Sequence, residues 1–179
     1  MFRSALLTGC FTVLLSLVLA GTAAAEPTNL LKNGNFKEGK TAWNIFCYSK
    51  QALVAEVVAG PEQGSSALQV TVAEEPDLKK YMIGASQIIP SAIAATDTVK
   101  LRFMARSPQS VTIGAVLHTV QSPHRNKMYK NFILTPEWKT YEAIDTKPEA
   151  FVAGEAMIEF FMSFSPGQIE ITNVEIAIN

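Results

Sequence analysis

Several stretches alternate apolar and polar residues with a period of two, the pattern of a strand with one face buried. In Ala156 to Phe164, Ile158, Phe160, Met162 and Phe164 share one face, and Met157, Glu159, Phe161 and Ser163 share the other. In Ser110 to Val120, Val111, Ile113, Ala115 and Leu117 oppose Thr112, Gly114, Val116 and His118. In Gln168 to Ile178, Ile169, Ile171 and Asn173 oppose Gln168, Glu170 and Thr172. The first set of Ala156 to Phe164 is assigned to the core. Other β-prone runs are Ala52 to Ala59, Ala67 to Ala73, Lys80 to Ile89, Thr98 to Arg106, Lys130 to Thr135 and Lys139 to Asp145. Between the runs stand Gly60-Pro61, Gly64-Ser65-Ser66, Glu75-Pro76-Asp77, Ser107-Pro108, Ser122-Pro123, Pro148-Glu149 and Pro166-Gly167, where glycine or proline dihedral preferences turn the chain. After Glu26 no stretch keeps a helical apolar period for three turns. Half-buried strands spaced by about eight to twelve residues predict an all-β chain, an antiparallel β-sandwich of two packed sheets, and more specifically a jelly roll.

The first twenty-five residues follow another pattern. Arg3 precedes an apolar stretch from Ala5 to Leu19, and small residues end it at Ala23-Ala24-Ala25. That order is a secretory signal peptide, with cleavage expected between Ala25 and Glu26. Thr8 and Gly9 interrupt the apolar run, which is shorter and less pure than a membrane-spanning helix requires. Leu7-Thr8-Gly9-Cys10 has the form of a lipid-attachment box, but most of the apolar segment follows Cys10 instead of preceding it. Residues 26–179 are therefore read as one domain, secreted or periplasmic, with no membrane span once the signal is removed.

Loss of Arg3 with the signal moves the formal net charge from −1 to −2. No basic block remains, which argues against nucleic acid or an anionic membrane as a partner. Of the two cysteines, Cys10 leaves with the signal, so Cys47 cannot close a disulfide inside the domain. It reads as a small buried hydrophobe, or as a thiol available to another chain.

A resemblance adds to this reading. Asn29-Leu30-Leu31-Lys32-Asn33-Gly34-Asn35-Phe36-Lys37-Glu38-Gly39, followed by Trp43, resembles the opening of the jelly-roll carbohydrate-binding modules appended to cellulases and xylanases. In the same order come Gly64 to Val70, Gln87 with Ile89, Val99 to Arg106, Leu134-Thr135-Pro136-Glu137-Trp138-Lys139-Thr140-Tyr141, and Gly167 to Ile176, each similar to a successive segment of that family. The resemblance implies a non-catalytic domain that binds a polysaccharide or oligosaccharide and requires no cofactor. Many such modules also hold a structural calcium between the chain ends, for which the matching positions here are Glu38 and Asn173. Lys37 stands where the family has an acid and cannot ligate, and calcium wants six to eight hard oxygens.

Sugar recognition needs flat apolar surfaces for pyranose C–H faces and planar polar groups for adjacent hydroxyls. On strand parity the outward candidates are Tyr81 and Gln87 on one strand, His118 on a second, and Glu159 and Phe161 on a third. Loop candidates are Tyr48 and the His124 to Tyr129 stretch, in particular Arg125 and Tyr129. Gln87 reads equally as a hydrogen-bonded structural amide, and Phe161 as the lining of a second core. Trp43 and Trp138 are assigned to packing. No catalytic constellation stands out: Glu159 is the one strand carboxylate with a plausible pocket, whereas glycoside hydrolysis takes two facing carboxylates. A different class of function is a structural or adaptor sandwich that docks onto an envelope or secreted protein. A flat apolar patch would favour docking, and a concave trench with polar ends would favour a glycan.

Overall fold

β-branched or aromatic residues recur in every run that forms a strand, as a pleated and half-buried surface favours. The computed structural model describes residues 28–179, so the proposed signal, its cleavage site and the Cys10 box lie outside the described residues. The strands are β1 (Asn44–Cys47), β2 (Val54–Ala59), β3 (Ser66–Val72), β4 (Ile83–Ile88), β5 (Val99–Arg106), β6 (Thr112–Thr119), β7 (Asn126–Ile133), β8 (Lys139–Asp145), β9 (Ala156–Phe161) and β10 (Gly167–Ile178). They make two five-stranded antiparallel sheets, β1-β4-β9-β6-β7 and β2-β3-β10-β5-β8. The fold is the expected jelly-roll sandwich.

Between the sheets, Leu68, Ile83, Leu101, Phe103, Ile113, Leu117, Ile158 and Phe160 are sealed from solvent. Each such side chain contributes about 1.5–3 kcal/mol relative to an exposed one. Phe103 anchors the centre, its ring centroid 5.1 Å from those of Phe132 and Phe160. Trp43 packs on Phe36 at 5.4 Å and on Phe160 at 6.4 Å, and its indole N–H donates to the Asn33 carbonyl at 3.1 Å. This is the packing role assigned to it. Trp138 is half-buried, with the Arg106 guanidinium 5.0 Å from its ring centroid.

Chain entry is fixed by side-chain bonds to β10. Asn29 donates to the Val174 carbonyl at 3.1 Å and accepts from the Ile176 amide at 3.0 Å. A Cβ at Gly34 would stand 2.0 Å from the Val174 carbonyl oxygen, so only glycine permits this approach.

The structure departs from simple alternation in four places. β1 was not anticipated; it is four residues long and pairs with β4 at Asn44↔Ser86 through Cys47↔Ile83. β7 begins at Asn126, so the stretch assigned to a loop is a strand whose Met128 and Tyr129 pair with Leu117 and Val116. β10 bulges between Thr172 and Glu175, with Asn173 at φ 49°. Asparagine tolerates that left-handed conformation, and the extra residue transfers the core face from Ile169 and Ile171 to Val174 and Ile176, leaving Asn173 off it. β9 ends at Phe161, and Ser163 beyond it is fully buried, accepting from the Ile83 amide at 3.0 Å and donating to the Lys79 carbonyl at 2.7 Å. Phe164, assigned to the core, is half-buried.

Candidate functional site

Strand register decides which side chains leave the first sheet on its outer face. One row runs Asn44, Ser86, Glu159, Val116, Tyr129 across β1, β4, β9, β6 and β7. The row beside it runs Phe46, Gly84, Phe161, Gly114, Asn131, and on the other side lie Ile88, Met157 and His118. Phe161 thus rises between two glycines. At Gly84 a Cβ would sit 2.7 Å from Phe46 Cζ and 2.1 Å from the Phe160 carbonyl oxygen, so the missing side chain lets the Phe46 ring lie across the strand.

Aromatics gather around this gap. Phe161 has Tyr81 on one side, tilted 67° at 6.5 Å, and Tyr129 on the other, also at 6.5 Å. Phe46 stacks on Tyr48 at 5.1 Å. Lys80 donates to the Tyr129 hydroxyl at 2.9 Å with its ammonium over the ring. Phe46, Tyr48, Tyr81 and Phe161 flank a trough of about 330 Å³ whose polar lining is Asn44, Ser86, His118, His124 and Glu159. A second hollow, of about 510 Å³, is lined by Ala42, Ile88 and Pro90 and shares Asn44, Ser86 and Met157 with the trough, so the two are continuous.

The polar centre is only partly satisfied. His118, 4 % exposed, holds Nε2 2.7 Å from Glu159 Oε2, yet neither ring nitrogen meets the alignment of a hydrogen bond, and Nδ1 has no protein partner. The His124 ring stands 5.3 Å from it, centroid to centroid, while His124 Nδ1 lies 3.0 Å from the Thr119 carbonyl oxygen. Asn44 donates weakly to Ser86 Oγ at 3.4 Å. Buried polar groups are ordinarily paired, so this lining retains hydrogen-bonding capacity.

The structure brings Tyr48, Tyr81, His118, Glu159 and Phe161 into one trough, with Tyr129 against its Phe161 wall. Gln87 is placed differently from the parity expectation. It shares the inward face with Ile83 and Ala85, donates to the Lys32 carbonyl at 2.9 Å and accepts from the Lys32 amide at 2.7 Å, and only borders the second hollow. The outward residues of β4 are Gly84, Ser86 and Ile88, because Tyr81 precedes the strand in a turn. Arg125 is exposed, lies 3.5 Å from Glu155, and is not part of the trough lining. Asn44, Phe46, Ser86 and Met157 are site residues that sequence reasoning missed. For Ser86 a signal existed: the inward alternation Ile83, Ala85, Ile89 leaves Ser86 on the other face.

Glu38 and Asn173, the positions matched to a structural calcium, do not line one hollow. A polar hollow of about 230 Å³ is lined by Asn29, Asn33, Asn35, Asn173 and Glu175, but Glu38 is not in its lining. Asn173 aims its amide nitrogen at Met104 Sδ, 3.7 Å away. Among the described residues no group of three or more His, Cys, Asp or Glu could hold a metal ion.

The outer face of the second sheet is closed upon itself. Glu170, 3 % exposed, accepts from Arg106 Nε at 2.8 Å, Gln168 at 2.9 Å and Gln69 at 3.2 Å. Next to it Glu142 pairs with Lys100 and Arg102. Among the described residues no helix is long and apolar enough to cross a membrane.

No protein-family model matches the chain, and no curated protein does. Solved structures share its architecture. One described as "CBM4 structure and function" is 20 % identical, with a TM-score of 0.64 over 83 % of this chain and 99 % of that one. The second N-terminal cellulose-binding domain of the Cellulomonas fimi β-1,4-glucanase C is 14 % identical, with a TM-score of 0.63 over 84 % of this chain and 94 % of that one. An arabinose-bound α-L-arabinofuranosidase, MgGH51, is 14 % identical and also superposes, with a TM-score of 0.64, but this chain spans only 26 % of it. At these identities the likeness establishes the fold, the jelly roll shared by carbohydrate-binding modules.

Proposed function

We propose that the protein is an exported, non-catalytic domain that binds a carbohydrate chain in the trough on the outer face of the β1-β4-β9-β6-β7 sheet. The observation that carries this reading is the pairing of exposed aromatic rings with an under-satisfied polar lining in one concavity. Tyr48 and Tyr81 are 70 % and 47 % exposed, and beside them Glu159, Ser86 and Asn44 offer acceptors and donors within the same trough. Aromatic faces suit pyranose C–H surfaces, and the polar side chains suit hydroxyls. The carbohydrate-binding neighbours in fold support the same reading. The concave shape with a polar centre argues against the alternative of a flat docking surface for a protein partner.

The lining supports a reading of binding without cleavage. Glu159 is the sole acid there, whereas glycoside hydrolysis takes a second carboxyl group about 5–9.5 Å from the first. Export rests on the signal pattern of residues 1–25 and places binding in the secreted or periplasmic space.

Calorimetry and affinity electrophoresis of the 26–179 domain against cellulose, xylan, β-glucans and mannan test the proposal. Saturable binding to at least one, weakened on Tyr81→Ala, is the expected result. No binding to any glycan on a broad array would overturn it.

A further inference from the structure

We infer that Glu159 is a specificity determinant that makes the trough select uncharged glycans and reject chains of uronic acids. The inference rests on the glycan-binding reading and adds the chemical class of ligand.

Glu159 projects from β9 in the row Asn44, Ser86, Glu159, Val116, near the middle of the sheet. Its side chain is 14 % exposed, so the carboxylate is largely withdrawn from water yet reaches the trough. Among the described residues no lysine or arginine lines that trough. Lys80 is engaged with the Tyr129 hydroxyl, and Lys32 borders the neighbouring hollow. The ionic partner of Glu159 is His118, an imidazole that can carry at most one proton to offset it.

A carboxylate in this position accepts hydrogen bonds and donates none. Sugar hydroxyls are donors and satisfy it, while both ring nitrogens of the neighbouring His118 are buried beneath the surface. A uronate would bring a second carboxylate into a partly dry concavity where charge repulsion is weakly screened. Rejection by repulsion is a common route to specificity, because it needs no change in the favourable contacts made to the accepted ligand. The aromatic walls are indifferent to this choice, since a hexose and its C6-oxidised form present the same ring faces. The discrimination therefore falls on Glu159.

The test compares neutral tetrasaccharides of the gluco, galacto, manno and xylo series with cellotetraose oxidised to the uronate at C6 and with tetragalacturonate. Calorimetry is run at about pH 8, above the range in which imidazoles usually hold a proton. The wild-type domain should bind a neutral tetraose about tenfold or more tighter than the uronates, and Glu159→Gln should bring the ratio to within about threefold by raising uronate affinity. Because Glu159 is partly buried, Asn44→Asp, at the exposed end of the same row, supplies a second variant that should widen the ratio. Uronates bound as tightly as neutral chains by wild type, or a ratio unmoved by both variants, would overturn the inference while leaving glycan binding intact. Absence of binding to every glycan would overturn the glycan reading and this inference together.

Discussion

Phe160 and Phe161 are adjacent in β9 and face opposite sides of the first sheet, so alanine at each position tests the register directly. Phe160 is fully buried, with ring contacts to Phe103 at 5.1 Å and Trp43 at 6.4 Å. Its loss removes transfer energy and leaves a cavity in a packed core, a cost of about 3–5 kcal/mol. At roughly 2–4 °C per kcal/mol for a domain of this size, the melting temperature should fall by about 6–20 °C. Phe161 is half-buried and touches Tyr81 and Tyr129, which remain wet in its absence, so Phe161→Ala should cost only about 1 kcal/mol of stability. Its effect belongs in ligand binding: losing one aromatic contact face should weaken a glycan by about 1–2 kcal/mol, roughly 5–30-fold in Kd. Differential scanning calorimetry and titration calorimetry on both variants separate the two. The reasoning is refuted if Phe161→Ala unfolds the domain while Phe160→Ala melts like wild type.

Other substitutions probe the surroundings. Gly84→Ala places a Cβ against the Phe160 carbonyl and the Phe46 ring, and should destabilise by about 1–3 kcal/mol in thermal melts while disturbing the near-ultraviolet signal of the Phe46–Tyr48 stack. Glu170→Ala deprives Arg106, Gln69 and Gln168 of their shared acceptor, and should cost about 1.5–3 kcal/mol in urea titrations without changing glycan affinity. Trp138→Ala removes a half-buried ring and its guanidinium contact, lowering the melting temperature by several degrees for about 1–2 kcal/mol, again with affinity unchanged in calorimetry.

Core-facing strands were the legible part of this chain, because apolar alternation in β5, β6 and β9 survives wherever pairing is regular. Legibility failed where backbone conformation broke the period. Asn173 occupies the alternating position after Ile171, but its left-handed φ inserts a bulge, and nothing in the local composition distinguishes this asparagine from one on a face. β1 is too short to show a period, which hid Asn44 and Phe46 from the site. For β6 the alternation was present but misleading about solvent: Gly114, Val116 and His118 face outward and are nonetheless buried, because neighbouring strands and the His124 segment crowd over a central strand. Gln87 failed for a related reason, being an amide on the inward face whose two polar atoms are consumed by the Lys32 backbone.

The two outer faces of the sandwich show why a ligand belongs to one and not the other. On the second sheet the buried Glu170 accepts three bonds, and the exposed Glu142 stands between Lys100 and Arg102. A ligand there would have to break bonds already made before forming its own, and the exchange gains little. On the first sheet the accounting differs, since the His118 nitrogens lack aligned partners, the Asn44 to Ser86 contact is long, and the aromatic rings stand partly in water. A ligand that supplies hydroxyls and an apolar ring face would engage Glu159 and Asn44 and cover the rings without displacing any strong protein bond. At Gly84 the Phe46 ring takes the space a side chain would fill, and Gly114 faces the Phe164 ring and Asn131, at the cost of two strand positions with no side chain to pack. The glycines thus let aromatic rings crowd around Phe161, on the face that keeps unmet hydrogen bonds.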